Sequence, residues 1–149
     1  MKTIIVKTLF VIVTAALAAE VRAQSGPYQY FSLTPCRVVD TRNSNGTNGG
    51  PALATTPRSF QMRGNCGIPL TAQAVSINVT VTNATASSWL TVWPSGTAKP
   101  FVSTINFDQT TPALANGAIV GVSANTDDLT VANAVGSVHV IVDVNGYFQ

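Results

Sequence analysis

Val75, Ile77, Val79 and Val81 alternate without a break with Ser76, Asn78, Thr80 and Thr82. A period of two puts every apolar side chain on one side of an extended backbone and every polar one on the other, which a helix of 3.6 residues per turn cannot do. A second alternation sets Val138, Val140, Val142 and Val144 against His139, Ile141, Asp143 and Asn145, almost at the C-terminus. Both segments are therefore half-buried strands, and their apolar faces are the expected core.

Shorter runs rich in β-branched or aromatic residues occur at 28–33, 36–41, 58–62, 89–93, 101–107, 118–123 and 129–132. Turn chemistry separates them: Asn45-Gly46, Asn48-Gly49-Gly50-Pro51, Gly64-Asn65, Pro94-Ser95-Gly96, Asn116-Gly117, the stretch 125–128 and Gly136-Ser137. Beyond the N-terminal segment, no window of helical length repeats apolar residues at i, i+3, i+4 and i+7. The pattern predicts an all-β chain with eight or nine short strands, folded as a single antiparallel β-sandwich of jelly-roll-like form. Residues 43–56, rich in Gly and Asn, are expected to form an exposed loop.

The N-terminus has the grammar of a secretory signal peptide over residues 1–23: Lys2 and Lys7, an apolar run from Leu9 to Ala19 broken by Thr14, and Val21-Arg22-Ala23. The run is about half the roughly 20 residues needed to cross a bilayer, so no membrane span is expected. The expected organisation is a cleaved segment, 1–23, and one β-sandwich domain, 24–149, released to the extracellular space or a periplasm. Lys2, Lys7 and Arg22 against Glu20 account for the formal net charge of +2. What remains is neutral, with Arg37, Arg42, Arg58, Arg63 and Lys99 against Asp40, Asp108, Asp127, Asp128 and Asp143. Scattered charge with a single Lys argues against a nucleic-acid partner, which needs clustered cations to neutralise phosphates.

Two cysteines, Cys36 and Cys66, are expected to form a disulfide in an oxidising compartment. No metal or cofactor is expected, since two Cys and the one His offer too few ligands. A Ser-His-Asp hydrolase would rest on His139, but Asp143, four residues along the same strand, lies about 13 Å away, too far to orient it. A glycosidase needs two paired carboxylates, and no Glu follows Glu20. Asn125, Asp127 and Asp128 read as a solvated turn, with too few oxygens for calcium. The chain is not expected to be an enzyme.

Two constellations are candidate ligand-binding sites. Trp89, Thr91 and Trp93 share one face of a strand, with Leu90 and Val92 on the other. If the Leu and Val side is buried, two indoles stand on the surface as a platform for sugar rings. Arg37, Asp40 and Arg42 form a tight ionic run, with Asp40 and Arg42 on one strand face and Arg37 on the other. A fixed Asp40–Arg42 pair is the expectation there.

The order Thr34-Pro35-Cys36-Arg37-Val38-Val39-Asp40-Thr41-Arg42, then Cys66-Gly67-Ile68-Pro69, Leu90-Thr91-Val92-Trp93-Pro94-Ser95-Gly96, Ala115-Asn116 and Asp143-Val144-Asn145-Gly146-Tyr147-Phe148 resembles a β-rich accessory module of exported bacterial proteins. The resemblance spans nearly all of residues 24–149. It implies an accessory role beside other extracellular domains, hydrolases among them, and no catalytic residues. Here the module follows its signal peptide directly. The expected function is a secreted, non-enzymatic structural or adhesive module, with a glycan or protein surface or a second copy as partner. The alternative is a carbohydrate-binding module using Trp89 and Trp93.

Overall fold

The computed structural model describes residues 26–124 and 127–149; the expected signal peptide, 1–23, and Asn125 lie outside them. Among the described residues there is no helix, and hence none long and apolar enough to cross a membrane. The strands are β1 (Tyr30–Asp40), β2 (Arg58–Phe60), β3 (Ala74–Thr82), β4 (Ser88–Pro94), β5 (Ile105–Phe107), β6 (Ala113–Gly121), β7 (Leu129–Asn133) and β8 (His139–Phe148). They form two four-stranded sheets, ordered β1-β8-β3-β6 and β2-β7-β4-β5. Every strand pairing is antiparallel. Only β4 and β5 are consecutive strands of one sheet; every other connection crosses between the sheets, the double-sheet arrangement of a jelly roll.

The two alternating segments lie side by side as β3 and β8 at the centre of one sheet. Val75, Ile77, Val79 and Val81 face inward with Val138, Val140, Val142 and Val144. Leu90, Val92, Ile105, Phe107, Leu129, Val131 and Phe60 meet them from the other sheet. Burying each such side chain stabilises the fold by roughly 1.5–3 kcal/mol, offset by the entropy of ordering the chain. No buried side-chain nitrogen or oxygen among the described residues lacks a hydrogen-bond partner.

Four elements depart from the sequence pattern. The strand expected at 101–107 is confined to β5, and residues 101–104 are irregular. The runs expected at 28–33 and 36–41 are one strand, β1, which continues through Pro35. An edge strand tolerates the missing donor, and the ladder slips between Ser32 and Cys36 to absorb it. The strand expected at 118–123 begins at Ala113, so the Asn116-Gly117 turn signal lies within β6. Those two residues pair with Val79 and Asn78 of β3, and the Asn116 amide donates to the Thr104 carbonyl at 2.7 Å. Finally, the expected exposed loop 43–56 is pinned to the body. Leu53 is buried and exchanges two backbone hydrogen bonds of 2.9 Å with Val138. The Arg58 guanidinium donates to the carbonyls of Gly46, Gly49 and Pro51 at 2.6–2.9 Å.

The expected disulfide is present: Cys36 of β1 is bonded to Cys66 in the turn between β2 and β3, across 30 positions. At the far end of the same sheet, Tyr30 packs against Phe148 and Phe31 stacks on Tyr147, each at 5.2 Å between ring centroids. The Tyr30 ring lies on the backbone of Gly146, and its hydroxyl donates to the Asn145 carbonyl at 3.1 Å. A methyl group on residue 146 would overlap that ring. Gly146→Ala is therefore expected to expel Tyr30 and cost about 1–2 kcal/mol, read as a lower urea midpoint with a changed near-ultraviolet tyrosine signal. An unchanged midpoint would show that the close approach carries no energy.

Candidate functional site

β4 turns Leu90 and Val92 into the core, which leaves Trp89, Thr91 and Trp93 on the outer face of its sheet. The chain then reverses at Ser95-Gly96, where Gly96 takes a φ of 78°, and runs back over that face. Thr97 accepts the Trp93 indole N–H at 3.2 Å, and Val102 accepts the Thr91 hydroxyl at 2.8 Å. The covering segment reaches Trp93 but stops short of Trp89: Trp93 is 6% exposed and Trp89 43%. The expected platform of two indoles is thus corrected to one. Trp93 is sealed by a loop that the strand's own alternation does not reveal.

Trp89 forms one side of an open groove of about 600 Å³. Pro100, Phe101 and Val102 supply further apolar surface, and Phe101 stands fully exposed. Asn106 of β5 lies directly across the strand pair from Trp89. Its amide donates to the Ser103 hydroxyl at 3.0 Å, which fixes the carboxamide and leaves its carbonyl oxygen as an acceptor. Lys99 completes the lining with one cation, and no carboxylate lines the groove. Two exposed aromatic rings around a few anchored polar groups are what small-molecule and sugar recognition uses. Phe101, Asn106 and Lys99 were not among the residues singled out from sequence. The one available signal was the apolar pair Phe101-Val102 beside Pro100, in a stretch expected to be strand.

The second candidate cluster is a lock within the sheet. A ladder slip between Arg37 and Val39 turns Arg37 and Asp40 to the same side, against the simple alternation expected. Arg37 grips Asp143 of β8 through Nε at 2.8 Å and Nη2 at 3.1 Å. Arg42 grips Asp40 through Nε at 2.9 Å and Nη2 at 2.7 Å, as expected for that pair. The Arg42 side chain holds the Asp40 carboxyl down to about 2, helped by the Arg42 backbone N–H and opposed by burial. Asp143 in turn raises the Arg37 guanidinium. Both guanidinium forks are directed at carboxylates of the chain itself, away from the groove.

Asp128 is a larger departure. The expected solvated turn holds a carboxylate with no solvent exposure. Its Oδ2 accepts the backbone N–H groups of Met62 and Arg63 at 2.7 and 2.6 Å, and its Oδ1 the Arg63 Nε at 2.5 Å. Arg63 extends the network to the Ser123 carbonyl at 2.6 Å. All of this carboxylate's capacity is directed at the protein. His139 lies with Nδ1 3.2 Å from the Thr41 hydroxyl, whose oxygen accepts the Val140 N–H at 2.8 Å. Among the described residues, no group of three or more His, Cys, Asp or Glu is arranged to hold a metal ion.

No protein-family model matches the chain, and no curated protein matches it.

Proposed function

We propose that the chain is an exported, non-enzymatic adhesive module that holds a polysaccharide in the groove between Trp89 and Phe101. The observation that carries this is an exposed indole face set directly across a strand pair from an anchored carboxamide, Trp89 beside Asn106. A pyranose ring presents apolar C–H faces and a rim of hydroxyls. It is matched by an aromatic plane beneath the ring and by amide, hydroxyl or ammonium groups at its edge. Trp89 and Phe101 supply the planes; Asn106, Ser103 and Lys99 supply the edge. The disulfide fits an oxidising compartment, and the signal-peptide grammar of residues 1–23 supports export to it.

The test is retardation of the purified protein in gels cast with a panel of soluble polysaccharides. At least one polysaccharide is expected to retard the wild type. Trp89→Ala and Phe101→Ala should each weaken that interaction by about 2 kcal/mol, roughly 30-fold, with an unchanged circular dichroism spectrum in both and an unchanged melting midpoint for Phe101→Ala, whose ring is fully exposed. Retardation by none of the panel, or retardation that both variants leave intact, would remove the groove as the binding site.

A further inference from the structure

Four strands lie at sheet edges: β1 and β6 in one sheet, β2 and β5 in the other. Three of them are blunted. β2 and β5 span three residues each, while β1 carries Pro35, two ladder slips and the charged Arg37 and Asp40. β6 has none of these devices. It runs for nine residues, pairs with β3 from Ala113↔Thr82 to Gly121↔Ala74 without a slip, and holds no Pro and no charge. Leu114 and Ile119 are exposed on it, and a side chain at Gly117 would meet nothing within 4 Å. A long, regular, uncharged edge presents a row of backbone donors and acceptors to any passing strand. Proteins that must stay monomeric remove such edges.

We infer that β6 pairs antiparallel with β6 of a second copy about a twofold axis at Gly117. The result is one continuous sheet, β1-β8-β3-β6-β6-β3-β8-β1. Charge permits a second copy as partner and disfavours a charged strand: β6 offers no ion to pair with one, and residues 24–149 carry balanced charge, so two copies meet without net repulsion. The twofold register also matches side chains by size. Ile119 of one copy lies beside Ala115 of the other on the outer face, and Leu114 beside Val120 on the inner face. The pairing does not depend on what the groove holds.

Sedimentation velocity of the purified protein from nanomolar to high micromolar concentration is expected to show a monomer–dimer equilibrium. The double variant Ala115→Lys with Ile119→Lys places lysine opposite lysine at both outer positions. It should raise the dimer dissociation constant about tenfold or more, with an unchanged circular dichroism spectrum. Ala115→Glu with Ile119→Lys places opposite charges at the same positions and should restore the dimer. A wild type that stays monomeric throughout would overturn the proposal. So would a dimer that the lysine pair leaves intact, or a Glu–Lys variant as monomeric as the lysine pair.

Discussion

Asp128→Ala is expected to destabilise the protein by about 3–5 kcal/mol, and so to lower its melting midpoint by about 10–20 °C. The carboxylate is fully buried and accepts three hydrogen bonds, two of them from backbone N–H groups of the chain that follows β2. Removing it strands those donors and leaves the largely covered Arg63 guanidinium without its counter-charge. An unpaired buried donor costs about 1–3 kcal/mol by itself, and an unpaired buried charge more. Asp128→Asn keeps the shape but aims an amide N–H at a donor, so an intermediate loss is expected. Urea unfolding monitored by far-ultraviolet circular dichroism measures both. A loss below about 1 kcal/mol for the alanine variant would mean that the carboxylate is solvated.

Cutting the disulfide is the second large effect. Replacing Cys36 and Cys66 together by alanine frees a loop closed over 30 positions, which the chain-entropy relation values at about 3–4 kcal/mol. The bridge ties the irregular edge strand β1 to the turn at 64–67, from which Ile68 enters the core. The variant should therefore unfold at a markedly lower urea concentration, with a somewhat steeper slope because the uncrosslinked denatured chain exposes more surface, and reduction of the wild type should reproduce the shift. A midpoint unmoved by either treatment would show that the ladder between β1 and β8 holds the edge alone.

The contrast between these two features shows what the amino-acid order discloses. The cysteines were legible because an even pair in a chain with export grammar has few other uses. The strands β3 and β8 were legible because a period of two is a local property. Asp128 was not, since its neighbours spell a turn and the residue that buries it, Arg63, is 65 positions earlier. The N-terminal half of β6, 113–117, was hidden for the same reason: its Ala, Gly and Asn favour extended structure weakly, and the ladder with β3 imposes it. Arg37 came to face Asp40 through a ladder slip that no alternation encodes. In the groove, Trp89 and Trp93 are equivalent in the strand pattern. A returning segment with non-local hydrogen bonds covers one and leaves the other bare.

That difference between the two indoles makes the binding proposal directly measurable. Trp93 is enclosed and hydrogen-bonded, so a ligand in the groove should alter the emission of Trp89 and leave that of Trp93 unmoved. Titration of the wild type with the polysaccharides is expected to give a saturable blue shift in tryptophan fluorescence for at least one of them, and none in Trp89→Phe. No shift with any polysaccharide, or the same shift when Trp93 is the sole indole left, would contradict binding at the groove.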